Sequence, residues 1–164
     1  MPVSDLSDAE IEAIDLAVVA YRDEGTWNLA ELPTHALDDV DAIAHELRRY
    51  PGDNGALALI SIDEDFVILV RAQGTLVRVL LSDATAAPDW TLARSAVDHL
   101  GVHVEIDEEE PAPAGSLDIL ADLGLSAVEL GELLDDLELD PEDVLAEIAD
   151  ILGFGDEFDE LLED

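Results

Sequence analysis

Cysteine and lysine are missing altogether. Without cysteine the chain has no disulfide, no thiolate metal site and no cysteine nucleophile. Without lysine, its positive charge rests on six arginines set against 42 acids, a formal net charge of −36 in 164 residues. A field of that sign repels phosphate backbones, so direct nucleic-acid binding is not expected, and a basic protein surface is the better partner. Long apolar runs are also missing. No stretch approaches the roughly 18 consecutive apolar residues of a membrane span. The opening "MPVSDLSDAEIEA" has neither the basic nor the apolar region of a signal peptide, so the expected location is cytoplasmic. What is present is an apolar share of 49%, enough for a packed core.

The motifs of familiar chemistry are absent as well. His103-Val104-Glu105 matches the H-x-E that opens the zinc site of nucleobase deaminases, but that site needs two further thiolate ligands and no cysteine exists. His35, His45, His99 and His103 form no H-E-x-x-H pattern, and the His99–His103 spacing straddles the helix stop expected at Gly101. "DEDFVILVRAQG" lacks the alternating ligands and central glycine of a calcium loop. No phosphate-binding glycine loop and no G-x-S-x-G elbow is found. No catalytic, cofactor-binding or metal-ligating residue is therefore assigned.

The charge divides the chain. Residues 1–94 hold 18 acids and all six arginines, whereas residues 95–164 hold 24 acids and no cation. Four segments follow: a tail or short helix over 1–14, an α+β sheet domain over 15–106, an acidic Pro/Ala linker over 107–116 ("DEEEPAPAGS") and an acidic helical segment over 117–164. "LAVVAYR" and "TWNLAEL" read as a hairpin turned by Asp23-Glu24-Gly25. Val40, Ile43, Ala44 and Leu47 share one helical face, with acids before and Arg48-Arg49 after, as the macrodipole favours. Strands are expected near 56–62, 65–72 and 75–82. With two-residue turns at Asp63-Glu64 and Gln73-Gly74, Leu57, Leu59, Phe66, Ile68, Val70, Val77, Val79 and Leu81 share a face. The opposite face then carries Ala58, Ile60, Val67, Leu69, Leu76 and Leu80. A second helix is expected over 87–101 and an edge strand at "VHVEI". After the linker, Leu117–Leu123 reads as a short helix ended by Gly124. Ser126 to Glu129 and Asp140 to Asp143 are helix-start signatures, the second with Pro141 at the first helical position. The expected fold is an antiparallel sheet of five or six strands carrying two helices, followed by a small all-helical acidic segment.

Two features are candidates for contact. Arg71 and Arg78 fall diagonally adjacent on one sheet face, where they can hold an anion or a carboxylate, the chain's own included. Val144, Ile148, Ile151, Leu152, Phe154 and Phe158 recur at helical spacing and form either a partner-docking face or the seam of an internal core.

The order of segments resembles the bacterial, chiefly actinobacterial, tRNA adenosine deaminase-associated proteins. The residues that carry it are "VVAYRDEGTWNLAEL", the sheet segment ending "VLLSDATAA", and "LADLG" followed by "LDPEDVLAEIADILGFGDEFDELL". None is a catalytic signature. With no catalytic motif in the chain, a non-enzymatic binding or regulatory protein without a cofactor is expected; the resemblance implies a tRNA adenosine deaminase as its partner, and the charge independently suits a basic partner. Two alternatives stand beside it: a homo-oligomeric structural protein using the second apolar sheet face, and an enzyme of unrecognised chemistry.

Overall fold

The structure is a computed structural model and describes residues 14–32, 40–50, 55–62, 66–73, 76–82, 94–96, 114–115, 118–135 and 140–163. Among the described residues six antiparallel strands form one sheet in the order β2-β1-β3-β4-β5-β6. They are β1 (Ile14–Asp23), β2 (Thr26–Glu31), β3 (Ala56–Ile62), β4 (Phe66–Gln73), β5 (Leu76–Leu81) and β6 (Ala114–Gly115). The β1–β2 hairpin closes on the pair Asp23↔Thr26, leaving Glu24 (φ 54°) and Gly25 (φ 82°) as a two-residue turn. Both are left-handed, which matches the turn to the twist of the strands.

The register of β3 differs from the one expected. Its ladder with β4 ends at Ile62↔Phe66, so three residues and not two connect the strands. One extra residue turns every β3 side chain over. Ala56, Ala58, Ile60 and Ile62 therefore join Phe66, Ile68, Val70, Val79 and Leu81 on one face, while Leu57 and Leu59 join Val67, Leu69 and Leu80 on the other. The β4–β5 ladder ends at Gln73↔Leu76, so residues 74–75 link the strands in place of 73–74. That shift of two preserves the faces but changes the partners, and Arg71 lies directly opposite Arg78, not diagonal to it.

Helix α1 (Val40–Leu47) covers the first face with Val40, Ile43, Ala44 and Leu47, the stripe expected from the sequence. The Val40 N–H at its start donates to Ser95 Oγ at 2.8 Å, giving one of the helix's unpaired donors a partner. Of the helix expected over 87–101, residues 94–96 are described and helical, and Ala96 packs into this core. The strand expected at 102–106 lies outside the described residues, as does most of the 107–116 stretch. The end of that stretch is not linker: Ala114–Gly115 pairs with Leu80 and Leu81 of β5.

The second face is covered by the acidic segment. It contributes a 3₁₀ turn (Ala121–Leu123), α2 (Ala127–Asp135), α3 (Pro141–Leu152) and α4 (Gly155–Glu163). The expected helix over 117–123 is reduced to that turn. Its backbone bonds close tightly, Ala121 N–H to Asp118 O and Leu123 N–H to Leu120 O, while the Ile119 carbonyl is taken by a side chain of the sheet. Helix α2 begins as its sequence signature indicates, with Glu129 N–H donating to Ser126 Oγ at 3.2 Å. At the start of α3 the Asp140 N–H donates to Asp143 Oδ2 at 3.2 Å, and Gly153 ends the helix by donating to the Ala149 carbonyl. Helix, sheet, helix is thus the layering, with one apolar core on each side of the sheet.

Candidate functional site

Arg71 is central to the second face. It projects from β4 among Leu57, Leu69 and Leu80 and is 1% exposed. A buried guanidinium must find acceptors, because an unpaired ion inside a protein is costly. Its Nη2 donates to Asp122 Oδ2 at 2.8 Å, its Nη1 to the other oxygen of the same carboxylate, and Nη1 also to the Ile119 carbonyl at 2.8 Å. This two-pronged pairing suits a planar guanidinium and fixes the 3₁₀ turn against the sheet. The carboxylate is half out of the core, its side chain 47% exposed. The hydrogen bond from Arg71 holds the Asp122 carboxyl below its usual 3.8, against partial burial that raises it, and the charges of Arg71 and Arg78 add to the lowering.

A second clasp joins the layers nearer the hairpin. Trp27 of β2 donates its indole N–H to the Leu152 carbonyl at 3.1 Å and packs against Phe154 at 4.8 Å between ring centroids. Arg22 of β1 lies over the same indole, 5.6 Å from its centroid.

The helix face proposed for a partner is spent internally. Val144, Ile148, Leu152, Phe154 and Phe158 are buried in the second core, and Ile151, at 39% exposed, is the member of the six left facing water. The chain's own β3–β4 surface is what they cover, because that surface is as apolar as the first face and cannot remain wet. Of the arginine pair, Arg71 holds a carboxylate of its own chain, and Arg78 donates to Gln73 Oε1 at 2.9 Å.

With the apolar stripes turned inward, the outer surface of the helical layer is acidic. Asp143, Glu147, Asp150, Asp156, Glu157, Asp159 and Glu160 are exposed, and no arginine or lysine follows Arg94 anywhere in the chain. Asp118, Glu129 and Glu132 extend the same charge toward the 3₁₀ turn and α2. Among the described residues no three His, Asp or Glu side chains gather in a metal-binding arrangement. Among them, too, no helix is long and apolar enough to cross a membrane.

An α+β chain with both sheet faces covered, and an arginine-free acidic layer outermost on one side, belongs to the Rv3753c-like tRNA adenosine deaminase-associated proteins, whose family model matches residues 15–155. A relative in that family is Protein Rv3753c of Mycobacterium tuberculosis strain H37Rv, 32% identical over 149 residues that span 89% of this chain and 86% of that protein. No solved structure matches the chain. The resemblance drawn from the sequence is thus confirmed at the level of the family, while residues 1–14 precede the matched region.

Sequence reasoning missed Asp122 and Trp27. The Arg71–Asp122 pair joins residues 51 positions apart, and the Trp27–Leu152 bond residues 125 apart. A signal for the first was available: an arginine in the middle of an apolar strand face requires a carboxylate, and the helical segment is the richest source.

Proposed function

We propose that the protein is a non-catalytic binding or regulatory partner of a tRNA adenosine deaminase, acting in the cytoplasm and recognising a basic surface of the enzyme through its helical layer. The family description supplies the partner class. The observation that carries the docking mode is the outer face of α3 and α4, where exposed acids stand with no cation among them while Val144, Ile148, Leu152, Phe154 and Phe158 lie beneath and Ile151 faces water. Recognition is therefore electrostatic in its steering and polar in its contacts, in place of the apolar helix-in-groove mode. An enzyme that binds tRNA carries positive charge where phosphates bind. An acidic protein can occupy that surface, shield it from unproductive contacts, or compete with the RNA. No nucleic-acid contact and no cofactor enters this reading.

Self-association through the second sheet face has less support, since that face is occupied by the chain's own helices and two copies at −36 repel. The test is titration of the full-length protein into a purified tRNA adenosine deaminase from the same source, by calorimetry at low and high salt, with tRNA as competitor. A complex at low salt that weakens steeply with ionic strength and is displaced by tRNA is expected. No complex at micromolar concentrations in low salt sinks the proposal.

A further inference from the structure

The hairpin fixes which way the backbone groups of β2 point. A two-residue turn closes on a hydrogen-bonded pair, here Asp23↔Thr26, and bonded and non-bonded pairs alternate from there. Tyr21↔Asn28 and Val19↔Ala30 are therefore bonded, and the Leu32 N–H donating to the Ala17 carbonyl at 3.0 Å continues the series. The N–H and C=O groups of the residues between, Trp27, Leu29 and Glu31, point away from β1. β2 is an edge of the sheet, and among the described residues nothing pairs with that outer side.

Such edges are ordinarily blunted by proline, lysine or a bulge, and β2 has none of these in its ladder with β1. It is instead held firmly, through the Trp27 indole bonded to the Leu152 carbonyl. Beside it lies α4, which packs against β2 while α3 packs against β3 and β4. Gly155, the first residue of α4, faces α3, since a Cβ there would lie 2.7 Å from Asp150 Oδ1. At about 100° per residue, Glu157 and Glu160 then fall on the opposite flank, toward the β2 edge, and both are exposed. By alternation the exposed Glu31 shares the face of Trp27 and Leu29, the one the helical layer covers.

Three carboxylates thus flank a row of open peptide groups. A second copy of the chain would bring the same acids and a charge of −36 with it, so they guard this edge against self-pairing. A segment of the opposite charge meets no such barrier.

We propose that β2 takes up an extended basic segment of another protein as an added antiparallel strand, with arginine or lysine at alternate positions. In that arrangement the residues bonded to Trp27, Leu29 and Glu31 carry their side chains on the helical-layer face, where Glu31, Glu157 and Glu160 stand. Main-chain bonds give the affinity, and the acids select a positive charge at every second residue. Which protein carries the segment does not matter to this recognition, so it stands apart from the deaminase partner.

The test uses the full-length protein and a capped peptide of about eight residues, a strand's length, in which arginine and threonine alternate. Two further peptides carry N-methyl groups, one on its arginines and the other on its threonines, with charge and length unchanged. Calorimetry at low salt is expected to show saturable binding of the parent peptide, and hydrogen exchange to show the Trp27, Leu29 and Glu31 amides slowed in the complex. Methylating the arginines removes the N–H groups that face β2 and weakens binding at least about tenfold, whereas methylating the threonines changes it by less than about twofold. Glu157→Gln with Glu160→Gln, both at exposed positions, weakens binding of the parent about threefold. Methylated peptides that behave alike overturn the proposal, because charge without strand pairing then accounts for binding. Loss on methylating the threonines in place of the arginines overturns the antiparallel alignment. No binding of the parent, or three amides already slow in the free protein because the edge is covered, overturns the proposal as a whole.

Discussion

The two faces of the sheet are both apolar, yet the layers covering them differ in charge and in how they are held. On the first face α1 and the turn that follows it carry both signs, with Glu46 buried and paired to Arg49 at 3.0 Å, and the helix enters the chain between β2 and β3, the strands on either side of it in sequence. The layer on the second face comes from residues 118–163, after the last long strand, and contains no cation of its own. Its exposed acids repel one another, and the C-terminal ends of its helices lack the positive side chains that favour a helix dipole. Apolar burial is what holds it, together with two clasps whose donors come from the sheet, Arg71 and Trp27. A fold can therefore seat a uniformly charged layer if the sheet beneath provides the missing cation.

The largest effect separating the two layers is expected from their cores. Phe154→Ala removes a fully buried ring that also stacks on Trp27, and loses about 3–5 kcal/mol by the usual cost of such truncations. Ile43→Ala under the first layer loses about 2–5 kcal/mol. Hydrogen exchange distinguishes them. In Phe154→Ala the amides of α3 and α4 lose protection while β3 and β4 keep theirs, whereas Ile43→Ala lowers protection throughout the sheet. Equal loss everywhere in both variants shows that the layers form one cooperative unit and erases the distinction.

The Arg71–Asp122 clasp comes next. Asp122→Asn leaves a buried guanidinium facing a neutral amide, and because the carboxylate is half exposed the loss is about 1–3 kcal/mol, below that of a fully buried pair. Adding Arg71→Met recovers part of it, since no buried charge is then left unmatched. Chemical denaturation of the two single variants and the double one checks both statements.

Acid provides a gentler way of opening the same clasp. The folded-state carboxyl of Asp122 titrates below 3.8, so its stabilisation is complete above that value and is lost as pH falls through the lowered folded-state value. The stability difference between wild type and Asp122→Asn is thus expected to be constant above about pH 5 and to shrink at lower pH. Denaturation of both proteins across that range measures it. A difference that instead grows toward low pH contradicts the assignment.

Local elements were legible because their causes are local. The α1 stripe, the Glu24-Gly25 turn, the Ser126 cap and Pro141 each follow from residues within one turn of each other. The β3 register was not, since it depends on whether two or three of Asp63, Glu64 and Asp65 lie between the strands, and an acidic run fits either count. The destination of the helix faces was hidden for a different reason. An amphipathic stripe shows that something must cover it, and both a partner and the chain's own sheet qualify until the area of uncovered sheet is known.

The smallest expected effect tests that last distinction directly. Ile148 and Ile151 belong to the same helix and differ by three positions, but Ile148 is fully buried on the sheet while Ile151 faces water. Ile148→Ala is expected to lose about 2–5 kcal/mol. Ile151→Ala is expected to change stability by less than about 0.5 kcal/mol, as exposed substitutions generally do. Ile151 therefore reports on the outside of the layer without disturbing the inside. If the acidic face is where a basic partner docks, Ile151→Ala leaves folding intact and speeds release only slightly or not at all, whereas Glu147→Gln with Asp150→Asn lowers the association rate and its dependence on salt. A large loss of affinity from Ile151→Ala alone, with the two acid variants silent, shifts recognition back to apolar contact and makes the charge of the layer incidental to binding.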